Sequence, residues 1–259
     1  MAETIVSVRA VELDYPLYSV SSRSLRSVAA LAIGGTLMRS RSASEIYLRA
    51  LQGITFTLES GDRLAIMGAN GSGKSTLLRV LAGIYEPTRG QVSVQGKISS
   101  LLEIGAGLDP EATGARNIRL LASYRGYSPW RMSSKIEEII DFSGLGHFAN
   151  MPVKSYSSGM VARLLFAVAT SFDHDVLLLE EWLSAGDERF VRQATERMMG
   201  VAEQSRVIVT ATHSMALTQR LCNKVLYLDH GQPVFFGPLA AFNRWHEVDR
   251  HLPQSAAAQ

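Results

Sequence analysis

Apolar positions along the chain change period several times, and each change marks an element. Ile5 to Leu13 alternates between apolar and polar residues, the period of a half-buried strand, and after a break Leu51 to Leu58 does the same. Arg63 to Met67, Val176 to Leu179, Val207 to Ala211 and Lys224 to Leu228 are short apolar runs, as expected of strands buried on both faces. Gln91 to Val94 reads as one more strand. Between these runs the spacing turns helical. It does so from Lys74 through Leu77, Leu78, Val80 and Leu81 to a stop at Gly83, and over Ser133 to Phe142 with Ile136, Ile139 and Ile140. Ser157 to Ser171 follows, with Val161, Leu164, Leu165 and Val168 on one face, and then Arg189 to Ala202. Buried strands alternating with helices predict a parallel α/β core. The first third predicts an antiparallel β subdomain, and 115–170 a helical lobe.

One stretch breaks the pattern. In residues 16–49 the side chains of Arg23, Arg26, Arg39 and Arg41, with several serines, surround the apolar run Val28 to Met38. This insertion is expected to lengthen the first hairpin, its cations suited to anionic lipid or diphosphate groups near a membrane. A solvated loop is the plainer alternative. The apolar run is 11 residues long, against roughly 20 needed to span a bilayer. The start of the chain, with Glu3 inside a strand-like segment, does not read as a secretory signal. A net charge of +2 is too mild to predict a nucleic-acid partner. The single cysteine, Cys222, excludes an internal disulfide and fits a reducing compartment.

The candidate chemistry begins after the third strand. Gly68-Ala69-Asn70-Gly71-Ser72-Gly73-Lys74-Ser75-Thr76 matches the Walker A pattern, with a strand before it and a helix after it. Glycines let the backbone turn so that its N–H groups face phosphates, and the following helix adds the positive end of its dipole. Lys74 brings a point charge, and Ser75 a hydroxyl for Mg²⁺. The motif predicts a nucleotide binder without choosing among GTPases, kinases, helicases and transporters.

Further features narrow the choice together. Val176 to Leu179 ends in Glu180 and Glu181, where one carboxylate could hold Mg²⁺ through water and the next orient an attacking water. Seen alone, the pair is an acidic turn after a strand. Tyr156-Ser157-Ser158-Gly159-Met160 opens a helix, with Ser157 a good N-cap. His213 follows a buried strand, where it could contact a γ-phosphate.

In this order the motifs resemble those of ABC ATPases, over residues 5 to about 240. The finer resemblance is to ATP-binding subunits of bacterial polysaccharide exporters for O-antigen, capsule and teichoic acid. It is carried by Leu101 to Gly107, Thr113-Gly114-Ala115-Arg116-Asn117, Tyr156 to Met160 with Arg163 to Ala169, and Glu181 to Asp187. The resemblance implies the P-loop NTPase fold of an ABC ATPase: a mixed, mainly parallel core sheet, an N-terminal antiparallel β subdomain and an α-helical lobe. It assigns 1–245 to that domain and 246–259 to a tail without a carbohydrate-binding domain. It also implies ATP and Mg²⁺ as cofactors and a homodimer of ATPase subunits. That dimer would be paired with two integral-membrane permease subunits, peripheral on the cytoplasmic face of the bacterial inner membrane, with a lipid-linked polysaccharide as cargo.

Residue roles follow from the same resemblance. Gly68 to Thr76 would bind phosphates and Mg²⁺, and Ser157, Ser158, Gly159 and Met160 the γ-phosphate of the opposite protomer. Glu180 takes the Walker B position, Glu181 that of the general base, and Ser184 to Asp187 the D-loop, with His213 as the switch histidine. Tyr15 or Tyr18 would stack on adenine. Two departures stand out: Glu180 replaces the usual Asp, and Glu103 or Ile104 falls where a glutamine that helps hold Mg²⁺ is usual. The competing readings are a non-transport ABC ATPase and a nucleotide-gated binding module with weak turnover.

Overall fold

The computed structural model describes residues 3–17, 36–39, 46–100, 102, 107–124, 126–128, 135–172, 174–180 and 188–250. These form two compact units, one within Met1–Gly96 and Arg206–Gln259, the other within Lys97–Ser205.

The first unit holds an antiparallel sheet. Its strands are β1 (Thr4–Leu17), β2 (Thr36–Arg39), β3 (Ile46–Glu59) and β5 (Arg89–Val94), in the order β2-β3-β1-β5. Alternation gives the sheet its buried face: Val6, Val8, Val11 and Leu13 of β1 are buried, as are Leu51, Ile54, Phe56 and Leu58 of β3. Both strands run further than their apolar pattern predicts. The extension pairs Asp14 with Arg49, Tyr15 with Leu48 and Leu17 with Ile46. Arg49 donates to both Asp14 oxygens, at 2.8 and 3.1 Å, so a charged fork rather than apolar burial holds this end together. Of the 16–49 insertion only the ends and β2 fall in the described residues; Tyr18, Arg23, Arg26 and Arg41 lie outside them.

The same unit contains β4 (Arg63–Met67) between β8 (Val207–Ala211) and β9 (Lys224–Asp229), parallel to both, while β10 (Gln232–Pro238) returns antiparallel along β9. The sheet is therefore mixed. Leu64, Ala65, Ile66, Val207, Val209, Val225 and Leu226 are fully or almost fully buried, which is why these strands read as unbroken apolar runs. Helix α1 (Lys74–Leu81) follows β4, α6 (Met215–Leu221) follows β8, and α7 (Leu239–Arg250) follows β10. Leu239–Arg250 is thus a docked helix. Buried Phe242 and half-buried Trp245 pack on Phe235 of β10 with ring centroids 5.4 Å away in each case. Cys222 lies in this core, where burial pushes its thiol up to about 12.

The second unit pairs the short strand β6 (Ile98–Ser100) in parallel with β7 (Val176–Glu180). It also holds α2 (Gly114–Tyr124), α3 (Ile136–Ser143), α4 (Ser158–Ala169) and α5 (Glu188–Gln204). Ile118, Leu121, Ile139, Leu164 and Val168 form the centre of its helical core. Asn117 is fully buried at the start of this core. Its Nδ2 donates to the carbonyls of Asp109, Ala112 and Thr113, and its Oδ1 accepts from the Asp109 N–H at 2.8 Å. Among the described residues, no helix is long and apolar enough to cross a membrane.

Candidate functional site

The loop from Gly68 to Gly73 leaves the buried end of β4 and runs directly into α1. Gly68, Gly71 and Gly73 have φ of 142°, 79° and 102°, conformations that L side chains rarely adopt. Space forbids side chains as firmly as torsion does. A Cβ at Gly68 would lie 2.2 Å from the Leu228 carbonyl oxygen, and one at Gly73 would lie 2.9 Å from that of Ala50. The loop is therefore pressed between β3 and β9. Helix α1 has Gly73 as N-cap, no side-chain cap and no acidic residue in its first turn. Its own first turn supplies no counter-charge to the positive end of its dipole.

Lys74 is almost buried, and its ammonium donates to the carbonyls of Gly68 at 2.9 Å and Ala69 at 2.8 Å. Its positive charge is thereby folded over the loop. This cradle fits a phosphate: three glycines in left-handed conformations, two of them without room for side chains, an uncapped helix start and a lysine confined beside them.

Two other expected residues belong to the same unit. The Thr212 N–H donates to the Ile66 carbonyl at 3.1 Å, tying the end of β8 to β4. His213 is thus at the same end of the sheet as the loop, exposed, just before α6, whose N-cap Ser214 accepts from the Leu217 N–H at 3.2 Å. Tyr15 packs edge-on against Tyr85 with centroids 5.8 Å apart. Burial raises its phenol, partly offset by a hydrogen bond with the Thr76 side chain. The structure therefore brings Tyr15 to the last residue of the motif.

The remaining expected residues belong to the second unit. Ser157 has extended backbone (φ −69°, ψ 160°) and its Oγ accepts from the Met160 N–H at 3.2 Å, capping α4 as its sequence position predicts. The helix begins at Ser158 and ends at Ala169, slightly inside the expected span. Ser157 and Ser158 are exposed, and a Cβ at Gly159 would touch only Ser157 Oγ, at 3.9 Å, leaving this helix start open. Tyr156 anchors it by donating to the Phe148 carbonyl, and its ring oxygen occupies the space a Cβ on Gly114 would need. Glu180 closes β7 and is half-buried. Glu181, Asp187 and Glu103 lie outside the described residues, as do Ser184 and Ile104.

A cleft of about 730 Å³ in the second unit has a different character. Its Arg197 donates to Thr170, Ser171 and Glu138, and its Lys135 to the Ser171 carbonyl. These cations join α3, the end of α4 and α5. Two contributors escaped the sequence reading: Gly231, whose N–H donates to the Ser72 carbonyl at 3.0 Å, and Gln52, whose N–H donates to the Gly231 carbonyl at 2.8 Å. The Asp229-His230-Gly231 stretch carries a hairpin-turn signal that could have placed the glycine.

A mixed α/β sheet with a glycine-rich loop and lysine between strand and helix defines a P-loop nucleotide-binding protein. More particularly, residues 51–184 match the family model described as ABC transporter, and the chain belongs to that family. It is 41% identical over 222 residues to the O-antigen export system ATP-binding protein RfbE of Yersinia enterocolitica, covering 85% of this chain and 92% of that one. It is 43% identical over 193 residues to the O-antigen export system ATP-binding protein RfbB of Myxococcus xanthus, covering 74% of this chain and 44% of the relative. The teichoic acids export ATP-binding protein TagH of Enterococcus faecalis is 38% identical over 188 residues, 73% of this chain and 42% of the relative. The chain thus spans less than half the length of the latter two. Among solved structures, the dimeric post-hydrolysis state of the ATP-binding cassette MJ0796 bound to ADP and Pi superposes with a TM-score of 0.69 at 19% identity, over 91% of this chain and 99% of that one. An ATP binding subunit of an ABC transporter superposes with a TM-score of 0.71, also at 19% identity, over 94% of each chain. These likenesses describe the fold.

Proposed function

We propose that this chain binds and hydrolyses ATP to drive an ABC exporter of lipid-linked polysaccharide, of the O-antigen or teichoic acid kind. The observation that carries the reading is the phosphate loop, with Gly68 and Gly73 closed to side chains and Lys74 held over the Gly68 and Ala69 carbonyls. The names of the relatives, which match over most of this chain, supply the cargo class.

ATP supplies the phosphoanhydride whose cleavage releases the driving energy, with Mg²⁺ as counter-ion. On this reading Lys74 moves its ammonium from the loop carbonyls to phosphate oxygens, and the amide of Gly73 and the first amides of α1 face the same anion. Ser75 and Glu180 hold Mg²⁺, directly or through water, aided by Glu103. Glu181 accepts the proton of the attacking water, and His213 and Asp187 orient the terminal phosphate. Tyr15, whose side chain contacts Thr76, supports the base.

The open start of α4 supports a role for Ser157, Ser158, Gly159 and Met160 at a phosphate held by a second copy of the chain. The working unit is then a homodimer of this ATPase domain (1–245) on the cytoplasmic face of the membrane, beneath two permease subunits. The test is the complex reconstituted in proteoliposomes with its permease. Wild type should hydrolyse ATP and export a lipid-linked glycan, Glu181→Gln should bind ATP without turnover, and Lys74→Ala should bind ATP more weakly and neither turn it over nor export. Export that survives Lys74→Ala would overturn the reading.

A further inference from the structure

We propose that Gly231, in the turn between β9 and β10, is a positioning residue for phosphate binding: its amide holds the Ser72 carbonyl and so aims the Gly73 amide into the phosphate loop. The proposal rests on the nucleotide reading above for its consequence, though not for its geometry.

The turn is built for this contact. Asp229 and Gln232 pair across it, leaving His230 and Gly231 as the two central residues, with φ of 46° and 80°. Two successive left-handed residues make the tight hairpin turn that matches strand twist. Three further contacts fix the turn on β3. Gln52 N–H donates to the Gly231 carbonyl at 2.8 Å, Gln52 Nε2 to the His230 carbonyl at 3.0 Å, and Gln232 Nε2 to Gln52 Oε1 at 3.2 Å. Held this way, Gly231 directs its own N–H at the Ser72 carbonyl, 3.0 Å away.

The planarity of the peptide does the rest. The Ser72 carbonyl and the Gly73 N–H are two ends of one rigid trans unit, so they point in opposite directions. With the carbonyl tied to the turn, the Gly73 N–H must face away from it, toward the hollow of the loop. That N–H donates to no acceptor among the described residues. The Ser72 N–H is meanwhile tied to the Ala69 carbonyl at 3.1 Å, which fixes the preceding peptide too. An outward flip of either peptide would break one of these bonds. The loop is therefore preset to offer amides before any anion arrives, which lowers the ordering cost of binding.

Gly231 admits no substitute. A Cβ there would lie 2.5 Å from the Ala50 carbonyl oxygen and 3.0 Å from its carbon, both backbone atoms that cannot swing aside. Gly231→Ala must therefore push the turn off β3 and release Ser72. Gly61 supplies the control. It is also left-handed, with φ of 95°, and belongs to the same unit, but a Cβ there has nothing within 4 Å. Gly61→Ala carries the torsional strain without the displacement.

The experiment uses the full-length chain and two readouts. Hydrogen exchange of a peptide covering 68–76 reports the loop, with a β5 peptide covering 89–94 as internal reference. Titration with a fluorescent ATP analogue in the presence of Mg²⁺ reports binding. Gly231→Ala should speed exchange in 68–76 by about tenfold or more while 89–94 stays protected. It should also weaken nucleotide binding by about tenfold or more, and Gly61→Ala should stay within about twofold of wild type in both. The proposal is overturned if Gly231→Ala leaves exchange in 68–76 unchanged, or if both variants speed it equally, since that would be general loosening. Should the wild type bind no nucleotide while Gly231→Ala still frees the loop selectively, the positioning claim stands and the ATP reading falls.

Discussion

Replacing Asn117 with alanine should cost the second unit more than any exposed polar change in the chain. The side chain is fully buried and spans the segment from Asp109 to Thr113. Its two amide protons are shared among three carbonyls, and its oxygen takes one N–H, so three full hydrogen bonds are at stake. At about 1 kcal/mol each, the loss is about 3 kcal/mol, since Pro110 and Glu111 are exposed and part of the freed backbone regains water. For a chain of this size that corresponds to a fall in Tm of about 6–12 °C. Differential scanning fluorimetry would measure it.

The isosteric Asn117→Asp sharpens the test. A carboxylate there would face three carbonyl oxygens away from water, so its folded pKa must rise above the unfolded value of about 3.9. The native state then keeps a proton that the unfolded chain has released. Stability must therefore fall as pH rises above about 4 and recover below it, where the protonated acid regains a donor. An Asn117→Ala shift under about 2 °C, or an Asn117→Asp penalty that does not change with pH, would refute the claim that these bonds hold the segment.

Three further outcomes follow from the geometry. Lys74→Ala loses an attraction of about 4 kcal/mol to a phosphate charge at an effective dielectric of about 20, less about 2 kcal/mol for the two loop carbonyl bonds the lysine must give up. Nucleotide affinity should fall by about 30-fold, read by titration, and a change under about threefold would contradict it. Ser157→Ala removes the cap of α4, costing about 1 kcal/mol and about 2–4 °C in Tm, while turnover of the assembled complex should fall far more steeply than stability. The Cys222 thiol, pushed up to about 12 by burial, stays neutral throughout the physiological range. It should react with a disulfide reagent at pH 8 only after unfolding, and rapid native labelling would count against the packing of α7.

The buried strands were legible because burial on both faces leaves no polar positions, and Val207–Ala211 matches its expected span residue for residue. Strand ends held by charge were not: β1 and β3 continue through Asp14 and Arg49, where nothing in the apolar pattern continues. One element of the second unit was missed for a local reason: Ile98–Ser100 is too short and too rich in serine to show a period. α2 fell inside the helical lobe expected over 115–170 but had no start of its own, because it opens on Gly114, a residue that ordinarily marks a turn. In the candidate site, the loop from Gly68 to Thr76 could be read because its chemistry needs contiguous residues. The hold of Gly231 on Ser72 could not, because it is a backbone contact between segments remote in sequence.

The place of β4 between β8 and β9 has a consequence for how the protein is made. Both of its hydrogen-bonded neighbours, at 207–211 and 224–229, are translated long after residues 63–67. A nascent chain that has just passed Thr76 carries the whole phosphate-binding motif but lacks the strands that give it shape. On the ribosome this apolar strand waits with both edges open until residues 207–211 have been made, a natural target for chaperone binding.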